Sequence, residues 1–250
     1  MAEAKVALQL YTVREPAGQD FAGTLRAVAA AGYPAVEFAG YGGLAAEQVR
    51  DLLAELGLQA AGTHTGLEAL QNELASVIKL HHTIGCAYCT VPSLPGSYAR
   101  DEAGFTRAGC DLEAVGRQLA AEGITLAYHN HAHEFVRCGE RYGLDVLYAH
   151  SDPRYVKAEL DAFWAQKGGV EPAAYIRQLG SRCSLIHIKD MTADGDFAEV
   201  GAGTIDFAPI FAAGDAVGTR WYIVEQDRCQ RPPLEAVKIS LDNLRKWGRV

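Results

Sequence analysis

Short apolar runs and longer amphipathic segments alternate eight times along the 250 residues, and this alternation limits the possible folds more than any other feature. The runs fall at 5–10, 35–38, 59–63, 87–91, 125–129, 156–160, 185–187 and 221–224. Each is continuously apolar, the pattern of a strand buried on both faces. Between them, Leu67, Leu70, Leu74 and Val77 recur at three- and four-residue steps, as do Leu112, Val115 and Leu119, which puts an apolar stripe along a helix. Gly32, Gly57 and Gly123 each close such a stretch just before a strand, where a C-terminal cap belongs. Repeated strand–helix units build either a doubly wound sheet or a closed barrel. No G-x-G-x-x-G follows the first run, and polar residues end nearly all eight runs instead of clustering at one crevice. Both observations favour a single (β/α)8 TIM barrel of the α/β class. No linker divides the chain, so one domain over residues 1–250 is expected.

Composition narrows the function classes. Apolar residues make up 49% and charged residues 22%, as in ordinary globular chains. The net charge of −8 argues against a nucleic-acid partner, which calls for a basic surface. No apolar run approaches the ~18 residues of a membrane span. The start, Met1-Ala2-Glu3-Ala4-Lys5, lacks the basic and apolar regions of a signal peptide, so a cytoplasmic location is expected. A small molecule is the expected partner. Cys86-Ala87-Tyr88-Cys89 has C-x-x-C spacing, but no second pair follows it and it borders an apolar run, so strand packing is its expected role. Gly201-Ala202-Gly203 is a lone G-x-G and weak evidence of a phosphate loop.

In a parallel barrel the residues just beyond each strand face the catalytic rim. Read in order, they are Tyr11, Glu37, His64, Pro92, the stretch His129-Asn130-His131-Ala132-His133-Glu134, Asp161, His187-Ile188-Lys189-Asp190 and Glu225-Gln226-Asp227. Four consecutive strands therefore end in histidines or carboxylates that closure of the barrel would bring together. Mixed carboxylate and imidazole donors suit one divalent ion, Mn, Mg, Co or Zn, with positions left for substrate oxygens.

The segments Leu8-Gln9-Leu10-Tyr11-Thr12-Val13-Arg14, His129-Asn130-His131 with Glu134-Phe135, Leu160-Asp161-Ala162-Phe163-Trp164 and His187-Ile188-Lys189-Asp190 carry a family likeness. Together they resemble the sugar phosphate isomerase and epimerase superfamily of xylose isomerase-like barrels. That group includes tagatose 3-epimerases, hydroxypyruvate isomerases and inosose dehydratases. The resemblance covers essentially the whole chain. It implies Glu134, Asp161, His187 and Glu225 as metal ligands, and commonly a homodimer or homotetramer. The chain departs from the epimerase pattern at one point: His129 stands where those proteins have the first metal glutamate. Either Glu134 curls back to the ion, or His129 or His131 takes its place.

An ion bound to a carbonyl and an adjacent hydroxyl acidifies the intervening C–H, and opposed bases can move that proton. The expected reaction is a sugar or keto-sugar isomerisation or epimerisation through an enediolate, with Glu134 and Glu225 as bases. A neighbouring histidine, His129 or His131, is a rival base in branches that eliminate, and Lys189 supplies positive charge to a developing oxyanion. His64 and His131 are expected to contact substrate, with Tyr11 and Trp164 as an apolar wall. A lyase or dehydratase acting on an inosose or 3-keto-glycoside is the alternative, motivated by the run of histidines. A DNA-repair nuclease like endonuclease IV is a remote third reading, opposed by the acidic balance. Loops 92–100 and 189–203 are expected to set substrate choice.

Overall fold

The computed structural model describes residues 5–98 and 100–250. Met1–Ala4, where the absence of a signal peptide was read, and Ala99 of the 92–100 loop lie outside them. Eight parallel strands close into a barrel: β1 (Lys5–Gln9), β2 (Ala35–Phe38), β3 (Gln59–His64), β4 (Tyr88–Val91), β5 (Thr125–His129), β6 (Val156–Asp161), β7 (Cys183–Ile188) and β8 (Trp221–Val224). Closure is made by β8 beside β1, with Lys5 opposite Trp221 and Leu8 opposite Val224. A closed sheet has no open edge, so every strand meets two neighbours. No helix among the described residues is long and apolar enough to cross a membrane.

Side chains alternate along each strand, and the two faces meet different surroundings. Outward residues such as Leu8, Val36, Leu126 and Ile186 pack under the surrounding helices in the main core. Inward residues Ala7, Ala35, Ala61, Ala127, Leu185 and Ile223, with Trp221, fill the lower interior as a second cluster. The stripe expected from Leu67 to Val77 lies on two helices, Leu67–Asn72 and Leu74–Ile84, because the backbone at Glu73 is non-helical. The long helix Glu102–Ala121 buries Leu112, Val115 and Leu119 on one face, together with Gly109 and Gly116.

Two pairings depart from regular register, and both lie beside a charged residue. The shift between β2 and β3 falls at Val36/Glu37, and that between β6 and β7 at Ala158/Glu159. Such irregularities re-aim side chains next to functional sites. At the first, Gly62 leaves room for a carboxylate: a Cβ there would stand 2.5 Å from Glu37 Oε1.

Candidate functional site

The polar site begins one step above the apolar plug. Two residues beyond Ala7, Ala35, Ala127, Leu185 and Ile223, on the same inward side, stand Gln9, Glu37, His129, His187 and Glu225. Strand β6 contributes Glu159 and Asp161, both fully buried. Charges at this depth are tolerated only when paired, hydrogen-bonded or bound to an ion.

An inner layer consists of two glutamates and three imidazoles. Glu37 Oε2 lies 2.8 Å from His187 Nε2 and 3.3 Å from His64 Nε2, and it accepts a hydrogen bond from Gln9 Nε2 at 2.8 Å. Glu159 Oε2 lies 2.9 Å from His64 Nε2 and 3.2 Å from His129 Nδ1. Burial, followed by the charge of Glu159, raises the Glu37 carboxyl to about 7. Burial would raise Glu159 too, but His187 and His64 hold it well below the usual carboxylate range. Burial works against charge on His187, yet Glu159 and Glu37 lift it well above the ordinary histidine value. His129 goes the other way, lowered by burial and by His187.

Above this layer, His129, Asp161, His187 and Glu225 each offer a donor atom, and these atoms all lie within 4.8 Å of one another. His187 Nδ1 is 2.7 Å from Glu225 Oε2, and His129 Nε2 is 3.8 Å from Asp161 Oδ2. Asp161 Oδ1 accepts from the Trp164 amide at 2.8 Å, while Oδ2 is buried without a well-aligned hydrogen bond. Burial raises this carboxyl to about 6. Two imidazoles and two carboxylates, one with an oxygen that makes no well-aligned hydrogen bond, fit a divalent ion such as Mn, Co or Zn. His187 turns Nε2 to Glu37 and Nδ1 to the upper group, while His129 turns Nδ1 to Glu159 and Nε2 upward. In a neutral ring, a carboxylate that accepts one N–H leaves the other nitrogen as a lone pair, the usual support of a ligand histidine. For His187 this requires loss of the proton that its two carboxylate neighbours favour. A second set, His64, His129, Glu159 and His187, meets the same distance limit.

Glu134 belongs to neither set. Its carboxylate is held by the Tyr128 hydroxyl at 2.6 Å, the His131 amide at 2.7 Å and His133 Nε2 at 2.9 Å. These bonds fasten the short 3-10 turn Ala132–Phe135 after β5, and they use both oxygens. Of the three β5 candidates, His129 is the one whose ring lies with Asp161, His187 and Glu225, whereas Glu134 is turned away from them. Glu134→Gln is expected to keep the wild-type metal content, measured by elemental mass spectrometry, while losing about 1–3 kcal/mol of stability from the unpaired turn.

The group opens into a cavity of about 400 Å³ lined by Tyr11, His64, His129, His131, Lys189, Glu225 and Asp227 among others. Tyr11 is exposed at its mouth. Trp164 stands behind His131, with ring centroids 5.4 Å apart, and its buried Nε1 has no partner. Lys189 is buried among three carboxylates, those of Asp161, Glu225 and Asp227. Glu159 is not among the residues read from the sequence, and Gln9 and Asp227 are read there at strand ends without a role. The signal for Glu159 was available: a glutamate two residues before Asp161, inside an apolar run, faces the same way.

The remaining motifs resolve into structure. Cys86 and Cys89 are buried free thiols, raised by burial to about 12 and about 11. His81 bridges Thr63 Oγ1 and the Cys86 carbonyl. In the G-x-G segment, the Gly201 and Gly203 amides donate to Asp190 Oδ2, each at 2.9 Å, while Met191 and Ile205 amides donate to Oδ1. An aspartate thus occupies the cradle that a phosphate would need.

A closed parallel barrel with imidazoles and carboxylates converging at the carboxyl ends of its strands has the architecture of a barrel enzyme. The chain belongs to the xylose isomerase-like TIM barrel family, whose model matches residues 25–247. Among curated proteins it is similar to an inosose dehydratase from Geobacillus kaustophilus (strain HTA426), 27% identical over 245 residues covering 82% of this chain and 79% of that protein. Among solved structures it is similar to a sugar phosphate isomerase/epimerase from Parabacteroides distasonis ATCC 8503, with TM-score 0.86, 24% identity and coverage of 97% and 98% of the two chains. The IOLI protein, solved with a zinc atom, matches with TM-score 0.76 at 14% identity over 96% of this chain and 97% of its own.

Proposed function

We propose that this chain is a divalent-metal-dependent lyase that removes water from a keto-polyol or keto-sugar. The observation that carries the reading is a pair of histidines that line one cavity and whose proton affinities are pushed in opposite directions. Burial lowers His131 to about 4, which leaves it neutral at pH 7. Burial disfavours charge on His64 as well, but Glu37 and Glu159 outweigh it and raise that histidine above its ordinary value. Groups whose environments push their proton affinities apart are suited to the roles of base and acid.

The ion would be held by His129, Asp161, His187 and Glu225. When bound, it polarises a substrate carbonyl and makes the neighbouring C–H more acidic. His131 takes the proton from that carbon. His64 gives a proton to the hydroxyl on the next carbon, the C–O bond breaks, and water leaves as the double bond forms. Glu159 and Glu37 hold His64 in place and favour its protonated form. Epimerisation with two opposed glutamates is less well supported, because Glu134 is turned into its own turn and only Glu225 faces the cavity. The similarity to inosose dehydratases supports the elimination.

Manganese-loaded protein incubated with an inosose and a panel of 3-keto-sugars in D2O tests the reading. The expected product has lost one water. A product that keeps its oxygens and gains deuterium at carbon would replace the lyase by an isomerase or epimerase.

A further inference from the structure

Lys189 shares acceptors with the ion-binding group. Its buried Nζ lies 3.1 Å from Asp161 Oδ2, 2.8 Å from Glu225 Oε2 and 2.7 Å from Asp227 Oδ1. Asp161 and Glu225 belong to the four-residue donor set, and Asp227 does not. A divalent ion binds carboxylate oxygen at about 2.0–2.2 Å. An ammonium left at hydrogen-bond distance on the same oxygens would then sit roughly 4 Å from the ion, a costly spacing for two cations away from bulk water. Asp227 is a third acceptor for the ammonium, outside the donor set and partly exposed at the cavity wall.

We propose that Lys189 is a tethered cation that competes with the divalent ion for Asp161 and Glu225, and that Asp227 is the seat that receives its ammonium when the ion binds. The inference rests on the metal-site reading above. Its consequence is a built-in limit on affinity: the carboxylates are never left uncompensated, and the ion must displace a charge already present.

Titration calorimetry of chelator-stripped protein with Mn²⁺ tests this. K189M is expected to bind Mn²⁺ about tenfold or more tightly than wild type, and K189R, which keeps the charge, to stay near wild type. D227N is expected to bind more weakly, since the ammonium then has no other seat. In the K189M background the same D227N change is expected to have a much smaller effect, as befits a residue acting through Lys189. K189M binding equally or less tightly than wild type overturns the proposal while leaving the metal site standing. If K189M does not fold, an undiminished D227N effect in a K189Q background overturns it just as well. Wild type that binds no Mn²⁺ sinks the metal reading itself.

Discussion

Asp161→Asn should strip the site of its ion and lower turnover by on the order of a thousand-fold or more. The side chain keeps its size, and Oδ1 can still accept from the Trp164 amide. What is lost is the charge on the Oδ2 oxygen that faces His129 and Lys189. An ion that binds only the folded protein raises its melting temperature by mass action. The Mn²⁺-induced rise seen in wild type should therefore vanish in the variant. Wild-type metal content in Asp161→Asn would move the ion to the inner set around His64 and Glu159.

The second large effect is on stability. Gly116 faces inward from the helix Glu102–Ala121, and a Cβ there would meet the Tyr155 carbonyl oxygen at 2.3 Å. That oxygen is backbone and cannot rotate away. Gly116→Ala should cost about 3 kcal/mol through overpacking, which outweighs the helix propensity gained. In a chain of this size the melting temperature should fall by about 6–12 °C. Gly18→Ala is the control, since nothing lies within 4 Å of the added carbon. It should be neutral or slightly stabilising.

The strands were legible in the sequence because burial on both faces leaves them no choice of composition. Runs such as 35–38 and 221–224 coincide with β2 and β8. Convergence was legible as well, since closure of a barrel brings strand ends together whatever their loops do. The stretch after β5 was not. Six residues with three histidines and a glutamate can turn in several ways, and the hydroxyl of Tyr128 that captures Glu134 lies on the strand itself. Composition alone does not reveal that pull. The inner layer was obscured for another reason. Glu37 and Glu159 can each be placed on the inward side from their own strands, but their pairing with three imidazoles falls at register shifts, and a shift depends on two strands at once. A strand read by itself cannot show it.

The bracket around Asp190 bears on how the cavity adapts to different guests. Four amides, from Met191 to Ile205, converge on one carboxylate directly after Lys189. The segment leaving β7 is thereby set before any substrate arrives, so binding incurs little ordering cost on that side. Pro92 and Ser93, at the start of the loop after β4, line the opposite wall. Swapping that loop between related barrels should change substrate preference, whereas grafting the β7 loop without its aspartate would trade a rigid wall for a floppy one.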